Sequence, residues 1–305
     1  MDLGLCSIIG KVRKIDEDSV MAISYESHFE SSITDICLCA LADGMGGGSR
    51  GDVASGIALK AFVGSTRQLV REDLDVSKIR KEIINAVSEA NIAVNDYRRK
   101  NKIEEMGTTI TAAFVLGKNM YVVNVGDSRT YVINGGKVQK KTKDNSYVQE
   151  LVDAGRITSE QARIHPRRNE ITRVLGFDKY VEVDFYEWRI FDGDSILLCC
   201  DGLWEPLGDD LIAQYASKNI PAVNLVKEMV EEANQLDGSD NISAILFRPS
   251  LKLEVASALE RVTEPRSKQS GARMGDYYEH KLTPLYLFEK ARNKELIMHV
   301  NSSCN

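Results

Sequence analysis

Apolar residues recur at intervals of three or four from Val76 to Tyr97, through Ile79, Ile83, Val87, Ala90 and Val94, and this spacing predicts a long amphipathic helix. Residues 52–70 predict a second, with Val53, Ile57, Ala61 and Phe62 on one side. The run Ile36 to Ala42 is apolar throughout, as a strand covered on both faces requires. Ile110 to Leu116, Met120 to Val125 and Arg129 to Ile133 are short, β-branched segments separated by glycine-containing turns, which predicts hairpins. Further strands are expected over Val181 to Trp188, Ser195 to Cys200 and Ile242 to Phe247, with a helix over Ala222 to Leu236. Strands in hairpin-linked clusters with helices grouped between them predict packed antiparallel sheets under covering helices, an α+β arrangement. Residues 144–176 interrupt the pattern with a polar insertion, expected to lie as a flap over one edge of the sheets.

The pattern changes again after Pro249. Residues 250–305 carry a charge of +2 and the first 249 a charge of −8. Arg261 to Asp276 reads as a linker, and Pro284 to Val300 regains helical spacing through Leu285, Phe288, Ala291 and Leu296. A boundary at residue 249 therefore separates a main domain, 1–249, from a C-terminal extension of linker and short helix.

Composition narrows the function. The 305 residues sum to −6, which disfavours a nucleic-acid partner, whose phosphates call for Lys and Arg. No apolar run reaches the ~18 residues that span a bilayer, so no membrane partner is expected. The six cysteines form no CxxC pair, and four lie in strand-like apolar runs, where a thiol acts as a small buried hydrophobe. The first residues lack the basic segment of a secretory signal, and a cytoplasmic location is expected. Four scattered histidines exclude an HExxH protease.

The acidic residues carry the chemistry. Asp43 follows a buried strand and opens Asp43-Gly44-Met45-Gly46-Gly47-Gly48, and Asp201 follows another in Leu197-Leu198-Cys199-Cys200-Asp201-Gly202. Asp127 sits in a Gly-Asp-Ser turn, Asp240 precedes the strand from Ile242, and Glu17-Asp18 precede a strand near the start. Taken singly, Asp-Gly after a strand is more often a mere turn. Several carboxylates on one rim would repel each other unless a hard cation neutralised them, and an all-oxygen set suits Mg²⁺ or Mn²⁺.

In this order the motifs resemble those of the metal-dependent Ser/Thr protein phosphatases, the type 2C or PPM family, in their bacterial form. The resemblance runs over residues 1–249. It rests on Gly10-Lys11-Val12-Arg13 with Asp16-Glu17-Asp18, Ala42-Asp43-Gly44-Met45-Gly46-Gly47, Gly107-Thr108-Thr109 and Val125-Gly126-Asp127-Ser128-Arg129. It continues through Asn145-Ser146-Tyr147-Val148, His165-Pro166-Arg167-Arg168-Asn169 with Ile171-Thr172-Arg173, Cys200-Asp201-Gly202-Leu203, and Gly238-Ser239-Asp240-Asn241-Ile242.

The resemblance implies an αββα sandwich with a dinuclear Mn²⁺ or Mg²⁺ centre at one end. Asp43 would bridge two cations, the Gly44 carbonyl would bind one, and Asp201 and Asp240 the other. Glu17 and Asp18 would act through waters, and Asp127 with Asp201 would form a weaker third site. Arg13 would clasp the substrate phosphate. The implied activity is hydrolysis of phosphoserine and phosphothreonine in phosphoprotein substrates, opposing a Ser/Thr kinase. Arg13, Asp43 and Asp201 are the expected catalytic residues. Phosphate-monoester hydrolysis is extremely slow unaided, and two cations supply more than the 10²–10⁴-fold of a lone acid or base. A non-catalytic phosphoprotein-binding module and a phosphatase of small phosphoesters stay open as alternatives; retention of the carboxylates with Arg13 disfavours the first.

Some positions depart from the family pattern. Asp16 stands where asparagine is usual, and Gly48 where many bacterial members have histidine. Met45 leaves no general acid at its position. His165 is expected to be structural or to touch substrate, Arg167-Arg168 to be a solvated face, and Trp188 and Trp204 to pack at sheet edges. Cys199 and Cys200 should face opposite sides of their strand.

Overall fold

A computed structural model of the chain describes residues 2–29, 32–46, 50–66, 69, 76–249, 285–289 and 298–299. In chain order these form β1 (Asp2–Ile8), β2 (Ser19–Phe29), β3 (Ser32–Ala42), β4 (Gly44–Met45), α1 (Gly51–Thr66), α2 (Val76–Lys100), β5 (Gly107–Thr108), β6 (Ile110–Leu116) and β7 (Asn119–Val125). They continue with β8 (Arg129–Asn134), β9 (Lys137–Lys141), α3 (Tyr147–Asp153), α4 (Ser159–Arg163), β10 (Asp184–Arg189), β11 (Ser195–Cys199), α5 (Asp201–Ala216), α6 (Ala222–Leu236), β12 (Ile242–Arg248), β13 (Leu285–Glu289) and β14 (Met298–His299). One large sheet has the order β1-β12-β11-β8-β9 and the other β10-β7-β6-β3-β2-β13-β14, β4 pairs with β5 in a small third sheet, and every pair is antiparallel.

The apolar runs are continuous because both faces of each sheet are covered. In β3, Ile36, Leu38, Ala40 and Ala42 point toward α1 and α2, into a core with Leu59, Phe62, Ile83 and Val87. The alternate residues Cys37, Cys39 and Leu41 point to the other sheet, where they meet Val132, Ile196, Leu198, Ile245 and Phe247. In β11, Leu197 and Cys199 face α5 and α6, packing with Leu203, Leu225 and Met229. Side chains alternate at a period of two, so one run of apolar residues feeds two cores. The result is the expected αββα sandwich.

The structure corrects the reading of two segments. Asp201–Ala216 is helical although no periodic stripe announces it; Pro206 lies inside, and Gly208 (φ 67°) divides it at a kink. Both residue types read as breakers in sequence. Leu285–Glu289, expected to be helical, is a strand paired with β2 from Leu285↔Ser24 to Glu289↔Val20. Its Leu-Tyr-Leu-Phe segment has strand propensity, and β2 offers an otherwise open edge. The linker stretch Arg261–Asp276 lies outside the described residues. Among the described residues no helix is long and apolar enough to cross a membrane.

Antiparallel register brings the acidic loops to one end. Ser19 pairs with Ala42, Ile110 with Val125, Arg129 with Cys199, and Ile8 with Ile242. The residues just beyond these pairs are Asp18, Asp43, Asp127, Asp201 and Asp240. The flap enters after β9 of one sheet and leaves into β10 of the other, beside that end.

Candidate metal centre

The carboxylates that are far apart in sequence converge. Burial pushes the Asp43 carboxyl well above the usual range, followed by the charges of Asp18, Asp201, Asp127 and Asp240 in that order. Carboxylate oxygens of Asp18 and Asp43 and the Sγ of Cys200 all lie within 4.8 Å of one another. Asp18 is 3% exposed, and burial first and Asp16 second raise it strongly, with the nearby Ser243 hydroxyl and Cys200 thiol offsetting only part. Asp127 is raised well above its ordinary value by burial, then by Asp201 and Asp144. Asp201 is pushed up to about 6 by burial, Asp240 and Glu205, against a hydrogen bond with Asp43. Both oxygens of Asp18 and one each of Asp127 and Asp201 are buried without a hydrogen-bond partner. A folded chain rarely leaves such groups unsatisfied without a ligand or water to meet them.

Backbone interactions fix the rim. The Asp43 N–H donates to Thr109 Oγ1 at 3.0 Å, and the Asp43 carbonyl accepts from Thr109 N at 2.8 Å and Thr108 Oγ1 at 2.8 Å. Thr109 Oγ1 in turn lies 2.8 Å from Ser128 Oγ, which ties the Asp43 loop to the Asp127 turn. Gly44 has no room for a side chain: a Cβ would sit 2.2 Å from the Gly51 carbonyl oxygen and 2.4 Å from that of Glu17. At Gly126, φ is +108° and a Cβ would meet Thr109 Cγ2 at 2.5 Å. Asn241 secures the first loop by accepting from Glu17 N at 2.9 Å and donating to the Ile9 and Ile15 carbonyls, each at 3.0 Å.

Glu17 accepts from Gly51 N, the first residue of α1, at 3.1 Å. Arg13 reaches from the same loop to Asp240 at 2.7 Å and to Glu17 at 3.5 Å. Partial burial lowers the affinity of the guanidinium for its proton, but Asp240, Glu17 and Asp43 outweigh this and hold it above its ordinary value. Arg13 thus lies on the carboxylate rim, and its side chain is 45% exposed and open to an incoming anion. Asp16 supports the floor, accepting from Ser7 Oγ at 2.5 Å and from Asp18 N at 3.1 Å.

A cleft of about 860 Å³ runs from Asp127, Asp201 and Asp240 to Arg163, Ile164 and Arg168 of the flap. Arg168 lines this cleft, 4.0 Å from Glu205, with its side chain 46% exposed, as the expected solvated face requires. Arg167 turns away, stacking 3.5 Å over Tyr147 and pairing with Glu170 at 2.6 Å. His165 packs near Tyr147, with Nδ1 accepting from Arg167 N at 3.1 Å, a structural role within the flap. Trp188 lies on the edge strand β10. Trp204 does not sit at a sheet edge: in α5 it stacks 3.4 Å under Arg129 and donates to the Asp127 carbonyl at 3.0 Å.

All the carboxylates singled out in the sequence meet here, with Gly44 and Arg13 beside them. Sequence reasoning assigned no part in the site to Thr109, Asn241, Trp204 or Cys200, although each lies in or beside a quoted motif. The unpartnered oxygens and the cramped Gly44 backbone suit hard divalent cations such as Mg²⁺ and Mn²⁺.

The model of the family "Protein phosphatase 2C" matches residues 26–246. The Ser/Thr protein phosphatase PstP of Mycobacterium tuberculosis is 35% identical over 240 residues, 78% of this chain and 43% of PstP, so the chain spans under half the length of that relative. The Ser/Thr phosphatase Stp of Listeria welshimeri is 33% identical over 216 residues, 69% of this chain and 84% of its own length. A crystal structure of the PstP catalytic domain with two manganese ions superposes with a TM-score of 0.64 at 32% identity, covering 80% of this chain and 96% of that one.

Proposed function

The chain belongs to the protein phosphatase 2C family, and on that premise we propose that it hydrolyses phosphoserine and phosphothreonine in proteins, using Mn²⁺ or Mg²⁺. The observation that carries this reading is the convergence of Asp18, Asp43, Asp127, Asp201 and Asp240 on one rim beside Arg13, with four buried carboxylate oxygens lacking partners. Left to themselves, these charges would repel a phosphate dianion. Asp43, the Gly44 carbonyl, Asp201 and Asp240 would hold two cations, with Glu17 and Asp18 supporting them and Asp127 with Asp201 taking a weaker third. When bound, such a pair supplies an activated attacking water and neutralises the charge of the phosphoryl group.

The chain's own residues do the rest. Arg13 binds the phosphate through a planar, permanently charged fork. Its contacts with Asp240 and Glu17 hold it at the rim before substrate arrives. Thr109, Ser128 and Asn241 keep the Asp43, Asp127 and Asp240 loops in register. Arg168 and Ile164 form the flap wall along which a phosphorylated segment would lie. The substrates are phosphoproteins made by a Ser/Thr kinase, a reading supported by the Ser/Thr phosphatases among the relatives.

The test is turnover of phosphoserine and phosphothreonine peptides, with an aryl phosphate as a small-substrate control. Activity is expected with Mn²⁺ or Mg²⁺ and not after chelation, and Asp43→Asn should lose at least about a hundredfold in kcat. Arg13→Ala should raise KM more than it lowers kcat, because the guanidinium grips phosphate before and during reaction. Undiminished turnover in chelated buffer, or activity confined to the aryl phosphate, would overturn the reading.

A further inference from the structure

Cys200 occupies the junction of β11 and α5, with its side chain on the inner side of the carboxylate rim. Its neighbour Cys199 points the other way, into the core with Leu203 and Ala244. The Cys200 Sγ accepts from Ser243 N at 3.1 Å and donates to the Asn241 carbonyl at 3.4 Å. It shares a volume of ligand size with Asp18 and Asp43: the three donor atoms lie within 4.8 Å of one another, close enough for one ion to touch all three. Asp18 is 3% exposed and, apart from the Ser243 hydroxyl and the Cys200 thiol beside it, its oxygens have no hydrogen-bond partner.

We propose that Asp18, Asp43 and Cys200 form a mixed oxygen–sulfur subsite that captures thiophilic divalent cations, of the Zn²⁺ and Cd²⁺ class, in competition with Mn²⁺ or Mg²⁺. Sulfur decides the selectivity. Thiolate adds little for Mg²⁺ or Mn²⁺ but strongly favours Zn²⁺, which already outranks Mn²⁺ at most donor sets. On capture the Cys200 S–H bond breaks, its proton passes to solvent, and a sulfur–metal bond forms. The contact to the Asn241 carbonyl is lost, while the Ser243 N–H stays in place as a donor suited to the sulfur anion. A cation held this way ties up Asp43, the residue assigned above to both catalytic cations. Zinc-class ions therefore act as inhibitors that need Cys200. This deepens the phosphatase reading, because it rests on the same carboxylates, but its spectroscopic signature does not depend on turnover.

The experiment titrates the full chain, cleared of metal, with Cd²⁺ and follows the sulfur-to-metal charge-transfer band in the ultraviolet. Wild type should show one saturable band, which Cys200→Ser removes and Asp18→Asn weakens. Zn²⁺ should inhibit the Mn²⁺-supported reaction at concentrations at least about tenfold lower in wild type than in Cys200→Ser. X-ray absorption of the Zn²⁺-loaded wild type should show a sulfur near 2.3 Å, which keeps the test decisive should Cys200→Ser fail to fold. An oxygen-only shell in wild type, or a band unchanged in Cys200→Ser, would overturn the subsite. A band without phosphopeptide turnover would defeat the phosphatase reading alone, and turnover without a band the subsite alone.

Discussion

The carboxyl of Asp201 is pushed up to about 6 by burial and by the charges of Asp240 and Glu205, against an unfolded value of ~3.9. Asp18, Asp43 and Asp127 move in the same direction for the same reasons. For an acid whose folded value is raised, the folded state holds the proton more tightly. The stabilisation is therefore complete below the unfolded value and lost as pH rises through the folded one. Metal-free protein should accordingly melt at a higher temperature at pH 5 than at pH 8, by a margin equivalent to roughly 1–3 kcal/mol. Added Mn²⁺ should reverse much of that difference, stabilising more at pH 8 than at pH 5. Thermal melts of chelated protein at the two pH values, with and without Mn²⁺, measure both effects. A metal-free melt that rises between pH 5 and pH 8 would contradict the crowded-carboxylate account.

At the scale of elements, the question is what holds β8, α5 and the base of the flap together around the Asp127 turn. Arg129 does so from a largely buried position, its side chain 13% exposed. It makes a bidentate pair with Asp144 at 2.8 and 2.7 Å, donates to Tyr131 Oη at 3.0 Å, and stacks on Trp204 at 3.4 Å. Tyr131 Oη passes the connection to Asp209, which Lys141 also holds at 2.6 Å. Asn145 adds a second tie, pairing with the Gly126 backbone and donating to Asp184 at 2.8 Å. Removing one partner of a buried pair strands the other charge, so Arg129→Met should cost about 3–5 kcal/mol in urea unfolding. Arg129→Lys should recover only part, since an ammonium cannot reproduce the fork. A loss below about 1 kcal/mol would mean that solvent already screens the pair.

For the whole molecule, the three apolar cores of the described residues draw on side chains up to Phe247. The solved PstP domain is matched over 96% of its length by 80% of this chain. Strand β13 adds to the edge of β2, away from the β3 side that faces the rest of its sheet. Truncation after Pro249 should therefore leave a folded protein whose kcat on an aryl phosphate stays within about tenfold of full length, some 1.4 kcal/mol in barrier. The shortened chain should also expose the β2 edge and self-associate more readily. Melting, kinetics and light scattering of the truncated and intact proteins settle the boundary. An insoluble product or a much larger loss of rate would place the extension inside the catalytic fold.

Much of this was legible in the sequence because it is local. The stripe from Val76 to Tyr97, the two-faced run ending at Ala42 and the hairpins around Gly126 record helix and strand periods directly, and they place Asp43 and Asp127 just beyond strand ends. The order of motifs then pointed to the family and to Glu17, Asp18, Asp43, Asp127, Asp201 and Asp240, but not to Glu205, whose charge also raises Asp201. Other features depended on contacts between distant positions. Pro206 and Gly208 hide α5, whose helix is held by packing on α6, β9 and β12 rather than by its own pattern. Leu285–Glu289 became a strand because the β2 edge was available for pairing. Arg129 found Asp144, Asp209 and Trp204 only through folding. Cys200 reads in sequence as a small apolar residue, and only the register of β11 with β12 and the position of β2 set its sulfur beside Asp18 and Asp43. Periodicity is written residue by residue, whereas the meeting of groups some 180 positions apart is decided by strand register and the close packing of two sheets.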